Sequence, residues 1–376
     1  MGIIPQAGIP IKGVNLLSIL KTWILEEREK VISRFEGDLA RYLKIPTVLS
    51  TSSGRASLWI AVKALDLHPG DEVIVPAYTC GIVFEVLLRL DLKPVLVDVD
   101  IDTCNIDPEQ VRKAVSEKTR AIIPIHLFGR PCEMDPLLEL AEEKNLYIIE
   151  DAAQALGAEY RGRKVGALGA MGMFSFGPGK VVTGGEGGAL SINNEVLISP
   201  AKELYKDLPK PDLAWSLHVL KNLLGMKIFS SQTLYPLIMG RVTRMIEETD
   251  KRIATNCVKL WKGEPRDLYR TITVAGMCSL SAATLLINGV GVIDEFNERR
   301  ISNALRLTRL LRELEGEGLH LPPENKKIKN IYTRYVIRVD SAEKRDGLIR
   351  SLLRMGVEAT PLYNYLPKVI EEMEKR

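Results

Sequence analysis

YIIEDAAQALGA, residues 147–158, decides how this chain is read: it is an apolar run that ends abruptly in acid. Tyr147, Ile148 and Ile149 suit a buried strand, and Glu150 and Asp151 stand where that strand would reach its carboxyl end. Lys180 lies 29 positions beyond Asp151, in FSFGPGKVVTGGEGGAL, residues 174–190, between a short aromatic strand and a glycine-dense turn. A lysine amine can form a Schiff base with an aldehyde. A carboxylate can keep a pyridine nitrogen protonated, so that the ring takes up electrons. The two residues together suit the chemistry of pyridoxal 5′-phosphate (PLP).

The flanking sequence alternates short Val- and Ile-rich runs with amphipathic segments. Strands are expected at 73–76, 94–99, 121–125, 147–150, 173–176 and 188–192, and helices at 55–64, 81–89, 108–116 and 134–144. Strands alternating with helices of about ten residues imply an α/β fold whose sheet is mostly parallel and covered on both faces. Ligands in such sheets bind beyond the carboxyl ends of the strands, where Asp151 and the Lys180 loop would lie. Residues 14–43 read as helix from the spacing of Leu17, Leu20, Ile24, Val31 and Phe35. Residues 195–270 break the rhythm with Pro-, Trp- and Leu-rich helical stretches, 281–315 read as one long amphipathic helix, and the terminal region as strand (333–339), helix (342–355) and strand (357–361). The expected division is a large domain over 1–194, a helical apolar insertion over 195–270, and a long helix with a small α/β domain over 271–376.

Composition narrows the function classes. With 46% hydrophobic and 26% charged residues among 376, the chain reads as an ordinary globular protein long enough for two domains. A formal net charge of +3, with no basic run interleaved with aromatics, argues against nucleic acid as a partner. The five cysteines are scattered, with no Cys-x-x-Cys and no Cys/His set at zinc spacing, so neither a disulfide framework nor a metal is expected. There is no signal-peptide pattern and no run of about 18 apolar residues, so a cytoplasmic location is expected. Residues 213–246 are apolar with sparse Lys and Arg, which keeps a membrane surface as an alternative partner for the insertion.

The motifs SSGRASLWIAVKAL (52–65), GDEVIVPAYTC (70–80), PVLVDVDIDTCNID (94–107), AIIPIHLFGRPCEMD (121–135), EDAAQALGA and SFGPGK occur in that order. Together the chain resembles the DegT/DnrJ/EryC1/StrS sugar aminotransferases, PLP-dependent enzymes of the aspartate aminotransferase fold (fold type I). The resemblance is dense over 35–191 and looser over 277–367. It implies a large domain with a seven-stranded sheet, a homodimer, an amino-acid donor such as L-glutamate, and a keto-sugar acceptor, typically nucleotide-linked, in amino-sugar or polysaccharide biosynthesis. It makes Lys180 and Asp151 the catalytic pair. Ser53, Gly54, Arg55 and Ser175 are expected at the cofactor phosphate, Gln154 at the phenolic oxygen of the ring, Cys80 against its face, and Tyr78 and His126 nearby. Ser53 and Gly54 would also open a helix, whose free amides favour an anion.

Several positions depart from the family pattern. Arg55 stands where Thr or Ser is usual, Cys80 where many relatives place an aromatic, Gly177 in place of a frequent His, and Val181 in place of a frequent Asn. Val274 to Met277 replace a stretch that in relatives reaches the partner subunit's phosphate. Sugar dehydratases of the same family carry histidine where Lys180 stands, which argues against that reading. A catalytically silent scaffold is the remaining alternative.

Overall fold

The computed structural model describes residues 27–229, 278–316, 318–355, 357, 359–361 and 363. Period-two alternation explains its centre. Val73 and Val75 of β2 (Glu72–Pro76) point into one apolar layer, with Ala121, Ile123 and Ile149 from neighbouring chain segments. Ile74, Ile122 and Ile148 point into the other. A sheet covered on both faces results. Its seven strands are β1 (Thr47–Thr51), β2, β3 (Lys93–Val97), β4 (Thr119–Ile122), β5 (Tyr147–Asp151), β8 (Met171–Ser175) and β9 (Gly188–Ile192), in the order β1-β9-β8-β5-β4-β2-β3. The pairs from β8 through β5, β4 and β2 to β3 are parallel, and β9 runs antiparallel to both β8 and β1. The mostly parallel, seven-stranded expectation holds.

Helix α1 (Arg28–Leu43) lays Val31, Phe35 and Leu39, none with any exposed surface, on one layer. It ends at Lys44 in the left-handed region. Helices α2 (Gly54–Lys63) and α3 (Ile82–Arg89) cover the opposite face, and α4 (Pro108–Ala114) and α5 (Met134–Lys144) lie on the side of α1. Two short strands, β6 (Glu159–Tyr160) and β7 (Arg163–Lys164), stand outside the sheet. Helices α6 (Ile198–Lys206), α7 (Leu213–Phe229), α8 (Leu280–Val290) and α9 (Ile293–Leu311) follow. The C-terminal region adds β10 (Leu319–His320), β11 (Ile328–Lys329), β12 (Arg338–Val339) and α10 (Ala342–Arg354). It is tied to the segment after β5 by the antiparallel pairing of β11 with β6.

Four expectations change. The helix read over 14–43 does not pass through Glu27, whose ψ of 137° is extended, and residues 14–26 lie outside the described residues. The helix read over 281–315 is two helices, because the chain turns at Gly291 and Val292. The strand read over 333–339 shrinks to Arg338–Val339, since residues 331–334 bond to the large domain's loops instead of to a strand. Among the described residues of 357–361 there is no strand beyond an isolated bridge at Val357. Strand β1, rich in Thr and Ser, was not anticipated. The first part of the 195–270 segment is helical as expected, and residues 230–277, including the altered stretch at 274–277, lie outside the described residues.

Candidate active site

Strand β5 delivers two carboxylates to opposite sides, as alternation requires. Glu150 turns inward and is fully buried. It accepts hydrogen bonds from the amides of Gly166 (2.8 Å), Leu168 (2.7 Å) and Gly169 (2.7 Å), and meets His126 Nε2 at 3.0 Å. The Cys132 amide donates to His126 Nδ1 at 3.0 Å, so that nitrogen carries a lone pair and the ring proton sits on Nε2, donated to Glu150. His126, expected near the cofactor, lies beside Asp151. Its amide donates to the Asp151 carbonyl at 3.0 Å, while its ring is committed to the buried knot.

Asp151 faces the other way, 5% exposed. Its backbone is held by Pro124 O at 2.9 Å and by the His126 amide, and its Oδ1 accepts from the Ala153 amide at 2.9 Å. Burial raises its carboxyl above the ordinary aspartate range, against the Ala153 amide and the charge of Lys180, which pull it down. Lys180 follows β8 on a loop closed by the bonds Phe176 N to Gly187 O (2.8 Å) and Gly184 N to Phe176 O (3.0 Å). Gly179 turns the loop at φ +77°, with open space where a side chain would stand. From α9, Arg300 Nη2 donates to Val181 O at 2.9 Å and braces the loop. From α1, the Phe35 ring meets Phe176 edge-on at 5.6 Å. Burial pushes the Lys180 amine below the ordinary lysine range. Asp151 and Cys80 oppose that shift and Arg334 adds to it. The amine makes no hydrogen bond or ion pair among the described residues.

The residues read as phosphate ligands also converge. Ser53 caps α2, its hydroxyl accepting from the Ala56 amide at 3.2 Å. A Cβ on Gly54 would come 3.0 Å from Ser175 Cβ and 3.2 Å from Phe174 O, so glycine lets the helix start lie against β8. Arg55 Nε is buried without a hydrogen-bond partner. A helix N-terminus with free amides, a serine hydroxyl from β8 and an orphaned guanidinium N–H fit a phosphate. The acid at Asp151 and the amine at Lys180 fit the ring and aldehyde of the same cofactor.

Gln154 is held at both ends. Its Oε1 accepts from the Phe128 amide at 3.2 Å and its Nε2 donates to Tyr363 OH at 2.9 Å. Tyr78 meets Tyr363 edge-on at 5.4 Å and Phe128 at 6.5 Å, so three aromatic rings gather beside Gln154. Phe128, Tyr363, Arg334 and the Glu150 knot were not singled out from the sequence. Phe128 and Tyr363 sit inside the quoted motif HLFG and in PLYNYLP, where an aromatic in a polar loop was a usable signal. Arg334 had none.

The family profile of the DegT/DnrJ/EryC1/StrS aminotransferases matches residues 15–213 and 270–374. The chain belongs to that family. Its members depend on PLP, whose chemistry the Lys180 and Asp151 arrangement suits. The pleiotropic regulatory protein of Geobacillus stearothermophilus is 31% identical over 337 residues, 89% of this chain and 75% of that one. GDP-perosamine synthase of Caulobacter vibrioides is 40% identical over 183 residues, 49% of this chain and 49% of that one. The chain thus spans about half the length of several curated relatives it matches. Escherichia coli GDP-4-keto-6-deoxy-D-mannose-3-dehydratase, solved with bound hydrated PLP, shares the fold at a TM-score of 0.74 and 18% identity, covering 100% of this chain and 90% of that one. Proteins similar to this chain thus carry the names of a regulatory protein, a synthase and a dehydratase, and the site residues must distinguish among such roles.

Proposed function

We propose that this family member is a PLP-dependent aminotransferase. It moves an amino group from an amino acid, with L-glutamate the expected donor, to a keto-sugar, nucleotide-linked, in amino-sugar or surface-polysaccharide biosynthesis. The observation that carries the reading is the pairing of a buried Asp151 carboxylate with an unbonded Lys180 amine whose pKa is lowered, each within the other's electrostatic reach. A histidine at position 180 would favour dehydration, and the lysine there supports amino transfer.

PLP bound here supplies an electron sink for the pair released when a Cα–H bond breaks. Asp151 holds the proton on the pyridine nitrogen, because its buried carboxylate gains most from a cation beside it. Lys180 would hold the cofactor aldehyde through its amine and, when that amine is free, would take and return the proton at the donor Cα. A lowered pKa suits that work, since the amine must be neutral to accept the proton. Ser53, Gly54, Arg55 and Ser175 anchor the phosphate, Gln154 orients the phenolic oxygen, and Cys80 and Tyr78 border the ring. The enzyme works as a cytoplasmic homodimer. The test is incubation with PLP, L-glutamate and a panel of keto-sugar nucleotides, with products identified by mass. A colourless protein that aminates none of them favours a silent scaffold.

A further inference from the structure

We infer that Tyr363 is a positioning residue: its hydroxyl holds the Gln154 carboxamide in the orientation from which that amide can donate to the phenolic oxygen of the cofactor. The role rests on the cofactor reading of Gln154. Gln154 sits in the turn that follows Asp151, where the Ala153 amide donates to Asp151 Oδ1 at 2.9 Å and Ala155 N to Ala152 O at 3.0 Å. Thr333 Oγ1 donates to Gln154 O at 3.0 Å, so the backbone of the glutamine is pinned from the C-terminal region as well. What remains to be set is a flexible side chain ending in a group whose two ends have nearly the same shape.

Hydrogen bonds decide which end of a carboxamide is which. The Phe128 amide can only donate, and it donates to Oε1 at 3.2 Å. Nε2 therefore stands at the other end, where it donates to Tyr363 OH at 2.9 Å. A flip would set an NH₂ against the Phe128 N–H, donor against donor. Nε2 carries two hydrogens. Tyr363 takes one, which leaves the second for the phenolic oxygen, an acceptor. Both partners of the carboxamide are held in costly conformations. Phe128 has φ +58° and Tyr363 φ +54°, in the left-handed region that bulky residues rarely adopt. The Tyr363 ring is further fixed edge-on by Tyr78 at 5.4 Å, and Tyr78 leans on Phe128 at 6.5 Å. Tyr363 lies 209 positions from Gln154 in the sequence, so this one bond makes the cofactor's oxygen sensitive to the docking of the C-terminal segment.

The experiment uses PLP-loaded full-length protein and reads the pH at which the visible absorbance of the bound cofactor changes. An N–H on the phenolic oxygen draws off negative charge that would otherwise help the attached Lys180 nitrogen keep its proton. Loosening that N–H should therefore move the midpoint to higher pH. Tyr78, the titratable ring packed on Tyr363, is pushed up to about 12 by burial and stays neutral across this range. In Tyr363→Phe, which keeps the ring, the midpoint should rise by about 0.5–1 unit, the shift equivalent to one neutral hydrogen bond. Gln154→Leu should raise it at least as far. The double variant should rise no further than Gln154→Leu alone, because Tyr363 acts only through the glutamine. An unmoved midpoint in a coloured Tyr363→Phe protein overturns the tether, and so does a double variant whose shift is the sum of the two. Loss of PLP uptake in Tyr363→Phe overturns it too, since a hydroxyl that only orients Gln154 leaves the phosphate cradle intact. An unmoved midpoint in Gln154→Leu sinks the reading of Gln154 itself, and the tether with it. An unmutated protein that takes up no PLP sinks the cofactor reading as a whole.

Discussion

At Asp151 and Lys180 the same burial acts on opposite charges. The carboxyl is raised and the amine lowered, so the cofactor-free protein carries an unfavourable pair that cofactor would relieve. Borohydride treatment of PLP-loaded protein should fix the cofactor to Lys180 in a peptide map, and Lys180→Ala should abolish turnover. Label on another lysine would overturn that residue's role. Asp151→Asn should lower the half-reaction rate by roughly 10²–10⁴-fold, the leverage of a positioned acid–base group. Stability should move the other way. The folded pKa of Asp151 lies above the ordinary 3.8, so its contribution to stability is greatest below that value and is lost as pH rises through the folded pKa. Asparagine does not titrate. In cofactor-free protein, the stability of Asp151→Asn relative to the unmutated chain should therefore rise from pH 4 toward pH 8, as read by urea midpoints. A constant difference would mean that Asp151 is not destabilised when ionised. Both residues were legible in sequence because the strand-end acid and the glycine-flanked lysine are local signals. The Glu150 knot was not, because its partners at 126 and 166–169 meet it only in the fold.

Among elements, the β5 terminus depends on Glu150. One carboxylate satisfies three loop amides and the His126 ring, and so fixes both the 166–169 turn and the segment that clamps Asp151. Glu150→Gln would turn an amide NH₂ toward groups that are all donors. A loss of about 3 kcal/mol or more in urea unfolding is expected, as for a buried charge stripped of its partners. A loss below about 1 kcal/mol would mean that the turn amides find other acceptors. The sequence pointed to Asp151 of the Glu-Asp pair but not to the knot that Glu150 makes with His126 and the 166–169 amides, since those partners meet only in the fold. Strand and helix positions in the large domain were readable to within a few residues because their apolar patterns are regular. The helix break at Gly291 and the loss of strand before Arg338 were harder to see. In the first, an apolar pattern continued across the turn. In the second, a strand-like composition serves to dock residues 331–334 on the Phe128 and Gln154 loops.

For the molecule as a whole, the question is where the apolar 195–270 segment is hidden. Its helix α7 buries Ser216, Val219 and Leu220, while Trp215 and Leu217 remain 49% and 48% exposed. Trp215 Nε1 donates to Glu186 Oε2 at 2.8 Å, which ties this helix to the glycine-rich turn six residues past Lys180. Among the described residues no helix is long and apolar enough to cross a membrane. A contiguous apolar patch beyond a few hundred Å² is rare on a monomer, so the exposed side of α7 calls for a cover. A second copy of the chain supplies one without lipid, which agrees with the proposed homodimer. In analytical ultracentrifugation the protein should run at twice the chain mass. Mixed with anionic vesicles and centrifuged, it should stay in the supernatant at low and high salt. A monomer that co-sediments at low salt, is released by high salt and is weakened by Lys221→Glu would mean that the insertion covers itself with lipid. The membrane surface would then replace the partner subunit as the neighbour of the catalytic loop.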